Sequence, residues 1–403
     1  MTGTAFAQFI PLAITPLLTR LYSPEDFGLL ALYLSSVSVL SIVVTGNYEK
    51  AIIMPKEERD AVGIIKLALS LVTIGCALLL LVVVLFDDVI ASFYENPAIK
   101  RLLYFIPFSV FSLAIYNVIN TWFNRVKEYK KLSYNRVTKS TISSALGLFL
   151  GMLKFASLGL IISEFFGQLL ATLLFGRAFF RQNREVYVGI TGKEMMAQAK
   201  IYNNFPLYTM PADMLSMASY QLPVFFFGKL FSQTTVGFYS LGIRVLDKPF
   251  VLLTSAVYEV FRQKAMEDYN TTGNCLAIFK KTFIRLLAIS VPSMTLFYLL
   301  APFLFRVVFG AEWEQAGYYA RIISIMYVFK FVASPLSFTF YVANKQRLDF
   351  LLHIYVFVSS CVVLSIAHFY HLSVEQTITI FVMNYSSVYS FYLYKSFQFA
   401  RGV

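Results

Sequence analysis

Residues 64–86 of the chain read IIKLALSLVTIGCALLLLVVVLF, a run of 23 residues in which Lys66 is the only charged side chain. An α-helix rises about 1.5 Å per residue, so a helix of this length crosses the roughly 30 Å of hydrocarbon in a bilayer. A helix on the surface of a soluble protein is apolar on one face only, whereas this run is apolar all round. The stretch therefore predicts a transmembrane helix.

The same composition extends along the whole chain. Of its 403 residues, 58% are hydrophobic and 14% are charged, whereas soluble domains carry roughly 25% charged residues. The apolar residues form twelve blocks, 2–18, 27–46, 64–86, 102–122, 137–153, 157–180, 206–228, 236–260, 283–305, 318–342, 349–366 and 377–397. The sequence therefore predicts an all-α integral membrane protein with about twelve transmembrane helices.

The basic residues are distributed unevenly between the predicted loops. The net charge is +12, and 24 of the 34 lysines and arginines fall in alternate loops or at the ends of the blocks beside them, beginning with the loop after the second block. They are Lys50, Lys56, Arg59, Lys66, Arg125, Lys127, Lys130, Lys131, Arg136, Lys139, Arg177, Arg181, Arg184, Lys193, Lys200, Arg262, Lys264, Lys280, Lys281, Arg285, Lys345, Arg347, Lys395 and Arg401. By the positive-inside rule both termini are cytoplasmic. Residues near Lys130 and Gln182 should then face the cytoplasm, and those near Asn96 and Ser232 the outside. This distribution indicates membrane orientation and argues against nucleic-acid binding.

Several functional classes lack their motifs in this sequence. Gly192-Lys193 has neither the upstream glycine nor the following hydroxyl of a phosphate-binding loop. The three cysteines and three histidines follow neither a disulfide framework nor a metal-ligand spacing. The start shows no basic segment or cleavage site of a signal peptide. We therefore expect no enzyme activity, no catalytic residue, no cofactor and no metal.

The chain also contains an internal repeat. Three echoes pair residues 20–29 with 229–238, residues 48–49 with 258–259, and residues 124–127 with 344–347, at offsets of 209, 210 and 220. An even number of spans returns the chain to the same side, so the two halves should be parallel repeats about an axis along the membrane normal. We predict a six-helix lobe over 1–180, a cytoplasmic linker over 181–205 and a second six-helix lobe over 206–403.

Charged residues inside the predicted spans are candidates for function, because a charge at the bilayer centre costs about 2.5–3.5 kcal/mol and needs a partner or a wet cavity. They are Glu164, Asp213, Arg244, Asp247, Lys248 and Lys330. Arg244 and Lys248 stand four residues apart, on one face of the eighth span. Fixed cations of this kind replace the water around a diphosphate by charged hydrogen bonds.

A second interpretation needs no substrate. Arg244 can pair with Asp247 at a spacing of three, or Lys248 with Asp213 between the seventh and eighth spans. An ion pair of either kind neutralises a charge inside the bilayer and is structural. The sequence leaves both interpretations open.

Five passages resemble one known family. They are LTRLYSPEDFGLLALY at 18–33, NYEKAIIMP at 47–55, WFNRVKEYKKLSYNR at 122–136, and the long passages at 203–249 and 309–346. Together they resemble the Wzx-type polysaccharide flippases of the multidrug/oligosaccharidyl-lipid/polysaccharide (MOP) superfamily, over nearly the whole chain. The resemblance implies two lobes in a V around a central cavity that opens alternately to each side.

The resemblance also implies a substrate and a location. The substrate would be an undecaprenyl-diphosphate-linked O-antigen, capsule or exopolysaccharide repeat unit, used in polysaccharide and lipopolysaccharide biosynthesis and moved across the bacterial inner membrane. Expected partners are this lipid-linked oligosaccharide, membrane lipid and a polysaccharide polymerase. We expect a monomer, because both halves needed to enclose a cavity are on one chain.

Residue roles follow from this resemblance only as expectations. Charged residues of the first, second, seventh and eighth spans should line the cavity, which selects Arg20, Asp213, Arg244 and Lys248 as substrate-binding candidates. Glu164 and Asp213 are candidates for ion coupling. Two alternatives remain: a drug or cation antiporter of the same fold, which should prefer an acidic cavity, and a membrane transferase, which should carry a catalytic residue on an outer loop.

Overall fold

The computed structural model describes residues 2–93, 100 and 102–402, and this part of the chain contains no β-strand. The helices are α1 (Thr2–Leu18), α2 (Pro24–Thr45), α3 (Tyr48–Ala51), α4 (Glu58–Phe93), α5 (Phe105–Arg125), α6 (Tyr129–Met152), α7 (Ala156–Gly189), α8 (Gly192–Ile201), α9 (Met210–Leu230), α10 (Gln233–Thr272), α11 (Leu276–Phe309), α12 (Glu314–Leu336), α13 (Thr339–Val342), α14 (Gln346–Phe369) and α15 (Val374–Ala400). A π-helical turn at Phe205–Thr209 precedes α9, and a 3-10 turn at Ala311–Trp313 precedes α12.

Twelve of the helices in the described residues have 17 residues or more, and each overlaps one predicted span. The all-α class and the number of long helices are therefore confirmed. Within the same residues, seven helices are long and apolar enough to cross a membrane, as judged by length and composition. Asn96, in the third predicted loop, lies outside the described residues.

Two of the long helices turn apolar faces outward. Side chains at least half exposed lie three or four residues apart, as Ile74, Leu78, Leu81 and Leu85 on α4, and Leu296, Leu299, Phe303 and Val307 on α11. This spacing places each set along one face of its helix. Such a face is costly in water and stable in hydrocarbon, where apolar side chains need no protein cover.

Packing divides the chain into two units, of which the first ends at Gln221 and the second begins at Leu222. The core of the first unit contains Ile64 of α4, Trp122 and Phe123 of α5, and Phe179 of α7. The Trp122 and Phe179 rings meet edge to face, with 5.6 Å between centroids. The lobe boundaries at 180 and 206 stay a prediction.

Close helix approach organises the second unit. A Cβ at Gly317 of α12 would lie 2.6 Å from Pro302 Cα of α11, and a Cβ at Gly242 of α10 would lie 3.3 Å from Ala320 Cβ of α12. Small residues at such contacts let helix backbones approach, which is how helices associate in a bilayer. The two contacts hold α12 against both α10 and α11.

The segment predicted as a linker is largely helical and is bound to the first unit. α7 continues to Gly189, and α8 then folds against the start of α4. Arg59 Nε donates to Glu194 Oε1 over 2.9 Å, and Gln198 Nε2 donates to Asp60 Oδ1 over 2.7 Å. Lys66 Nζ donates to two carbonyl oxygens at the end of α7.

The internal repeat appears in how corresponding helices begin. Ser23 Oγ accepts a hydrogen bond from Asp26 N at the start of α2, and Ser232 Oγ accepts one from Thr235 N at the start of α10. Each serine thereby satisfies a backbone donor that the first turn of a helix leaves open. The two caps are 209 residues apart, the offset of the first sequence echo.

Later turns repeat as well, at a second offset. Lys127 after α5 and Asn344 after α13 have φ of +59° and +55°, while Lys154 after α6 and His371 after α14 have +59° and +48°. In each turn the next residue donates its N–H to a carbonyl five residues earlier, the bond of a Schellman motif. Both pairs are 217 residues apart. The turns therefore match Asn344 with Lys127, three residues from the match in the sequence echo.

Three helices extend eight residues or more beyond their predicted spans. α6 begins at Tyr129 rather than residue 137, α7 runs to Gly189 rather than residue 180, and α10 runs to Thr272 rather than residue 260. Hydrophobicity marks where a helix enters hydrocarbon, whereas a polar helix extends into water unnoticed by that signal. The early start of α6 places Lys139 ten residues into the helix, about 15 Å along its axis, instead of at the cytoplasmic edge of the predicted span.

Candidate substrate and coupling site

Arg244 and Lys248 lie on α10, which runs without a break through Pro249. Both side chains are half-buried. Because the helix is continuous, their spacing of four residues places them on one face, one turn apart. The structure thus has the local geometry that the sequence predicted for a cationic stripe, and both residues take part in polar contacts.

Asp247, between these two cations in sequence, pairs with α12 inside the second unit. Lys330 Nζ lies 2.8 Å from Asp247 Oδ1, and the two side chains are 18% and 17% exposed. The hydroxyl of Tyr327 donates to the same carboxylate oxygen. One interpretation of the sequence pairs Asp247 with Arg244, and this stays a prediction; the fold adds an ion pair to Lys330, 83 residues away along the chain.

Aromatic rings complete the surroundings of Lys330. Its Nζ lies 4.6 Å from the ring centroid of Tyr327 and 4.9 Å from that of Phe250. A lysine over ring faces gains cation–π attraction in addition to its ion pair. Lys330 is therefore held by a carboxylate and two aromatic rings within one helix bundle.

Asp213 lies near the start of α9, and its partners belong to the same unit. Lys50 Nζ and Asn47 Nδ2 both donate to Asp213 Oδ2, with the Asp213 side chain 32% exposed. Asn47 and Lys50 follow α2, where the chain leaves the helix at Gly46 with φ of +58°. Sequence reasoning selected Asp213 but missed both partners, which are more than 160 residues away.

Glu49, also missed from the sequence, is adjacent to this ion pair. Its Oε2 is buried, and among the described residues it has no hydrogen-bond partner. Burial is the main cause that raises the pKa of this carboxyl, and the negative charge of Asp213 adds to it. Two carboxylates and one lysine therefore share the short segment between α2 and α4 and the start of α9.

Glu164 lies half-buried on α7, inside the first unit. It is within electrostatic reach of Tyr33 on α2 and Lys139 on α6. Lys139 Nζ donates to Gln168 Oε1, and Gln168 Nε2 donates to Thr172 Oγ1 over 3.3 Å. Glu164 thus belongs to a polar network in the interior of the bundle. The sequence placed Lys139 at the cytoplasmic edge of a predicted span and missed this network.

Arg20, the last of the predicted substrate-binding residues, is exposed in the turn between α1 and α2. The structure distributes the candidates over three places: Arg20 at this turn, Asp213 with Lys50, and Arg244 with Lys248 on α10. No group of three or more His, Cys, Asp or Glu residues that could hold a metal ion occurs among the described residues.

A model of a family described as polysaccharide biosynthesis protein matches residues 17–317. The chain belongs to this family. Together with its apolar helices, the match identifies a multi-pass membrane protein of polysaccharide biosynthesis. No sequence among curated proteins matches the chain.

Solved structures show the fold that this family member shares. The lipid II flippase MurJ in an inward closed conformation matches with a TM-score of 0.78 and 14% identity, over 99% of this chain and 89% of MurJ. A multidrug resistance MATE family transporter of the MOP superfamily in an inward-facing conformation has a TM-score of 0.66 and 14% identity, over 98% and 93%.

A third match is a MOP superfamily transporter from Pyrococcus furiosus, for which a reverse polarity of the binding pocket suggests a different function; the TM-score is 0.63 at 15% identity, over 98% and 94%. At these identities the comparisons establish the fold of MOP transporters. The fold that the resemblance implied is therefore confirmed, and the family match confirms the resemblance to polysaccharide biosynthesis proteins. The V-shaped cavity and its lining residues stay predictions.

Proposed function

We propose that the protein is a flippase that moves an undecaprenyl-diphosphate-linked oligosaccharide across the bacterial cytoplasmic membrane by alternating access. The observation that carries the proposal is a MOP transporter fold in a chain that belongs to a polysaccharide biosynthesis family. A product assembled on a lipid inside the cell and used outside needs such a carrier. The similar fold of MurJ, a lipid II flippase, supports a lipid-linked substrate.

Arg244 and Lys248 are the residues we propose for holding the diphosphate. Two cations one turn apart on a helix provide several donors for phosphate oxygens, and guanidinium and ammonium groups make strong charged hydrogen bonds to them. Asp247, between them in sequence, binds Lys330 and Tyr327 through its Oδ1. Arg20, exposed near the start of α2, is proposed as a further contact with the anionic substrate.

Asp213 and Glu164 remain the proposed coupling residues. Each is a half-buried carboxylate with a lysine in reach, Lys50 for Asp213 and Lys139 for Glu164. Binding of a proton or metal cation to such a carboxylate releases its lysine, which is the kind of charge change that drives alternation between states. Asp213 is also proposed to contact the substrate in the inward-open state.

The remaining proposals concern assembly and context. We propose that the protein works as a monomer without a cofactor, delivers O-antigen, capsule or exopolysaccharide units to a polysaccharide polymerase, and lies in the membrane with both termini in the cytoplasm. Transport rather than catalysis fits the absence of a phosphate-binding loop or nucleophile motif in the sequence.

The test is complementation of a strain that lacks its own flippase but makes the matching glycan. Wild-type protein should restore glycan at the cell surface. Arg244→Gln and Lys248→Gln each remove a charged hydrogen bond worth about 1.5–3 kcal/mol, so apparent affinity should fall by roughly tenfold to a hundredfold. Surface glycan and the amount of protein in the membrane are measured together.

Lys264→Gln is the matched control, since it removes one positive charge from an exposed part of the same helix. Lys264 pairs there with Glu267 and Asp268. It should export normally. Normal export by both Arg244→Gln and Lys248→Gln would rule out the diphosphate role. Drug resistance restored without glycan export would rule out the flippase and favour the antiporter.

A further inference from the structure

We propose that a groove between α11 and α15 binds an anionic phospholipid of the surrounding bilayer, with an acyl chain against its aromatic wall and the phosphate at Lys280, Lys395 and Arg401. This site lies within the second unit and is separate from the proposed diphosphate contacts on α10. It does not depend on the proposed transport function.

The groove is apolar and of useful size. Its volume is about 490 Å³, and its lining residues are Phe279, Lys280, Phe283, Ile284, Leu393, Tyr394 and Phe397. The rings of Phe279 and Phe283 stack with 6.3 Å between centroids, and Phe279 meets Phe397 at 5.9 Å. The wall is thus a continuous set of packed rings, which suits a flexible hydrocarbon chain.

Cations gather at one end of this wall. Lys280 is itself a lining residue. The Lys395 Nζ lies 5.6 Å from the ring centroid of Tyr394, and the Arg401 guanidinium lies 4.2 Å from that of Phe397. Within the described residues, the structure records no ion pair for these three cations. Among the described residues, three positive charges without an ion-paired carboxylate therefore border an apolar groove.

The cations stand at the height of a lipid headgroup. Cys275 N donates to Ala400 O over 2.9 Å, so α11 begins where α15 ends. Lys280 and Lys395 each lie five residues inside these ends, about 7.5 Å along the axis, within reach of the interface for a long side chain. Ile284 and Leu393 lie a further turn or less from the end. The basic rim is thus at the membrane surface, and the groove points into the bilayer.

Depth decides which molecule occupies the groove. Ile284 and Tyr394 are 64% and 56% exposed, and they lie in the apolar blocks 283–305 and 377–397 that the sequence predicts to cross the membrane, so we expect hydrocarbon around them. A soluble peptide or nucleotide cannot reach this wall without leaving water. Basic pockets between transmembrane helices on the cytoplasmic side recognise anionic headgroups, and both helix ends here are on the predicted cytoplasmic side. An anionic phospholipid matches the wall and the rim together.

The experiment measures lipid retained by the purified full-length protein. Protein in vesicles of phosphatidylethanolamine, with or without cardiolipin, is extracted in mild detergent and weighed by native mass spectrometry. Wild-type protein should carry cardiolipin. Replacing Lys280, Lys395 and Arg401 by Gln should cut retention by about fivefold for each cation, because one basic residue near an anionic surface contributes about 1 kcal/mol.

The matched control is the triple variant of Lys264, Lys281 and Arg306 to Gln, which removes the same charge at residues that do not line the groove and should keep its lipid. Ile284→Trp fills the exposed groove without touching a cation and should also lose the lipid, so the test survives if the first triple variant folds poorly. Equal loss in the control variant, unchanged retention in both groove variants, or equal retention of phosphatidylethanolamine would each overturn the proposal. A dimer that Ile284→Trp disrupts would overturn it too, by showing a second copy in the groove.

Discussion

The carboxylate of Glu194 holds α8 against α4 within the first unit. It accepts hydrogen bonds from Arg59 Nε over 2.9 Å, Thr191 N over 2.7 Å and Thr191 Oγ1 over 2.8 Å. These donors, Arg59 above all, lower the pKa of Glu194 from an ordinary 4.5 to about 2. A group whose pKa is lower when folded stabilises the folded state above its unfolded pKa, and that contribution is lost as pH falls.

The pH dependence of α8 docking follows from this shift. Pepsin cleavage between α7 and α9, divided by cleavage of an unfolded peptide at the same pH, should stay low at and above pH 4.5 and rise as pH falls towards 2, when Glu194 takes up a proton. Glu194→Gln should be cleaved faster above pH 4.5 and lose this part of the pH dependence. Exposed Glu185 on the end of α7 gives the control variant Glu185→Gln, which should behave like wild type. A wild-type profile in Glu194→Gln would refute the role of the carboxylate.

The sequence was enough to select individual charged residues, but it did not show which distant residues they contact. The pattern Thr191-x-x-Glu194 is a capping box that can be read locally, but the contribution of Arg59 depends on a contact across 135 residues. Likewise, burial of a charge in a span selected Asp213 and Asp247, while their cations Lys50 and Lys330 became visible only in the fold. Local spacing points to the nearest charge, whereas three-dimensional packing also brings in cations from distant parts of the chain.

At the scale of helices, the Asp247–Lys330 pair connects α10 to α12. Both side chains are less than a fifth exposed. Removing one partner of a buried pair leaves the other charge without compensation and typically costs about 3–5 kcal/mol. We therefore expect Lys330→Met to lower the melting temperature in detergent sharply, and the double variant with Asp247→Asn to recover most of the loss.

Lys264→Met provides the comparison, because its pairs with Glu267 and Asp268 are exposed. Exposed pairs contribute about 1 kcal/mol or less, so this variant should melt close to wild type. If Lys330→Met were as stable as Lys264→Met, the pair would not hold the two helices together. If the double variant were no better than Lys330→Met alone, the loss would come from the packing of the lysine stem.

Helix positions were predictable because hydrocarbon imposes a length and a composition on every span. Helix ends were not, as α6 and α10 show, because turns rich in Lys, Arg and Glu continue a helix outside hydrocarbon without changing the hydrophobic signal. The short polar helices α3 and α8 were missed for the same reason, whereas α13 lies inside the tenth predicted span. The start of α8 depends on its capping box and on contacts with α4 rather than on burial in lipid.

At the scale of the whole chain, the positions of backbone turns give a more constant repeat offset than the matches between residue types. Three echoes of residue type suggested offsets of 209, 210 and 220, whereas the positive-φ turns after α5 and α6 recur at 217. Asparagine tolerates left-handed backbone well, and Asn344 occupies that position in one turn where Lys127 does in the other. The sequence match aligned Asn344 with Asn124 because it compared residue types rather than turns.

The orientation of the whole chain in the membrane is the last prediction. Two long helices, α6 and α7, separate Lys130 from the region of Gln182, and α9 then separates Gln182 from Lys229. Each crossing changes the side, so Lys130 and Gln182 should share the cytoplasmic side and Lys229 should be outside, as the basic loops require. Single cysteines at these three exposed positions, in a chain without Cys76, Cys275 and Cys361, test this with a membrane-impermeant maleimide. Lys229 replaces Ser232 as the outer position because Ser232 caps α10.

We expect labelling at 229 in intact cells, and at 130 and 182 only after the membrane is opened. Labelling at 130 and 229 from the same side would require an even number of crossings between them and so remove one of α6, α7 or α9 from the membrane.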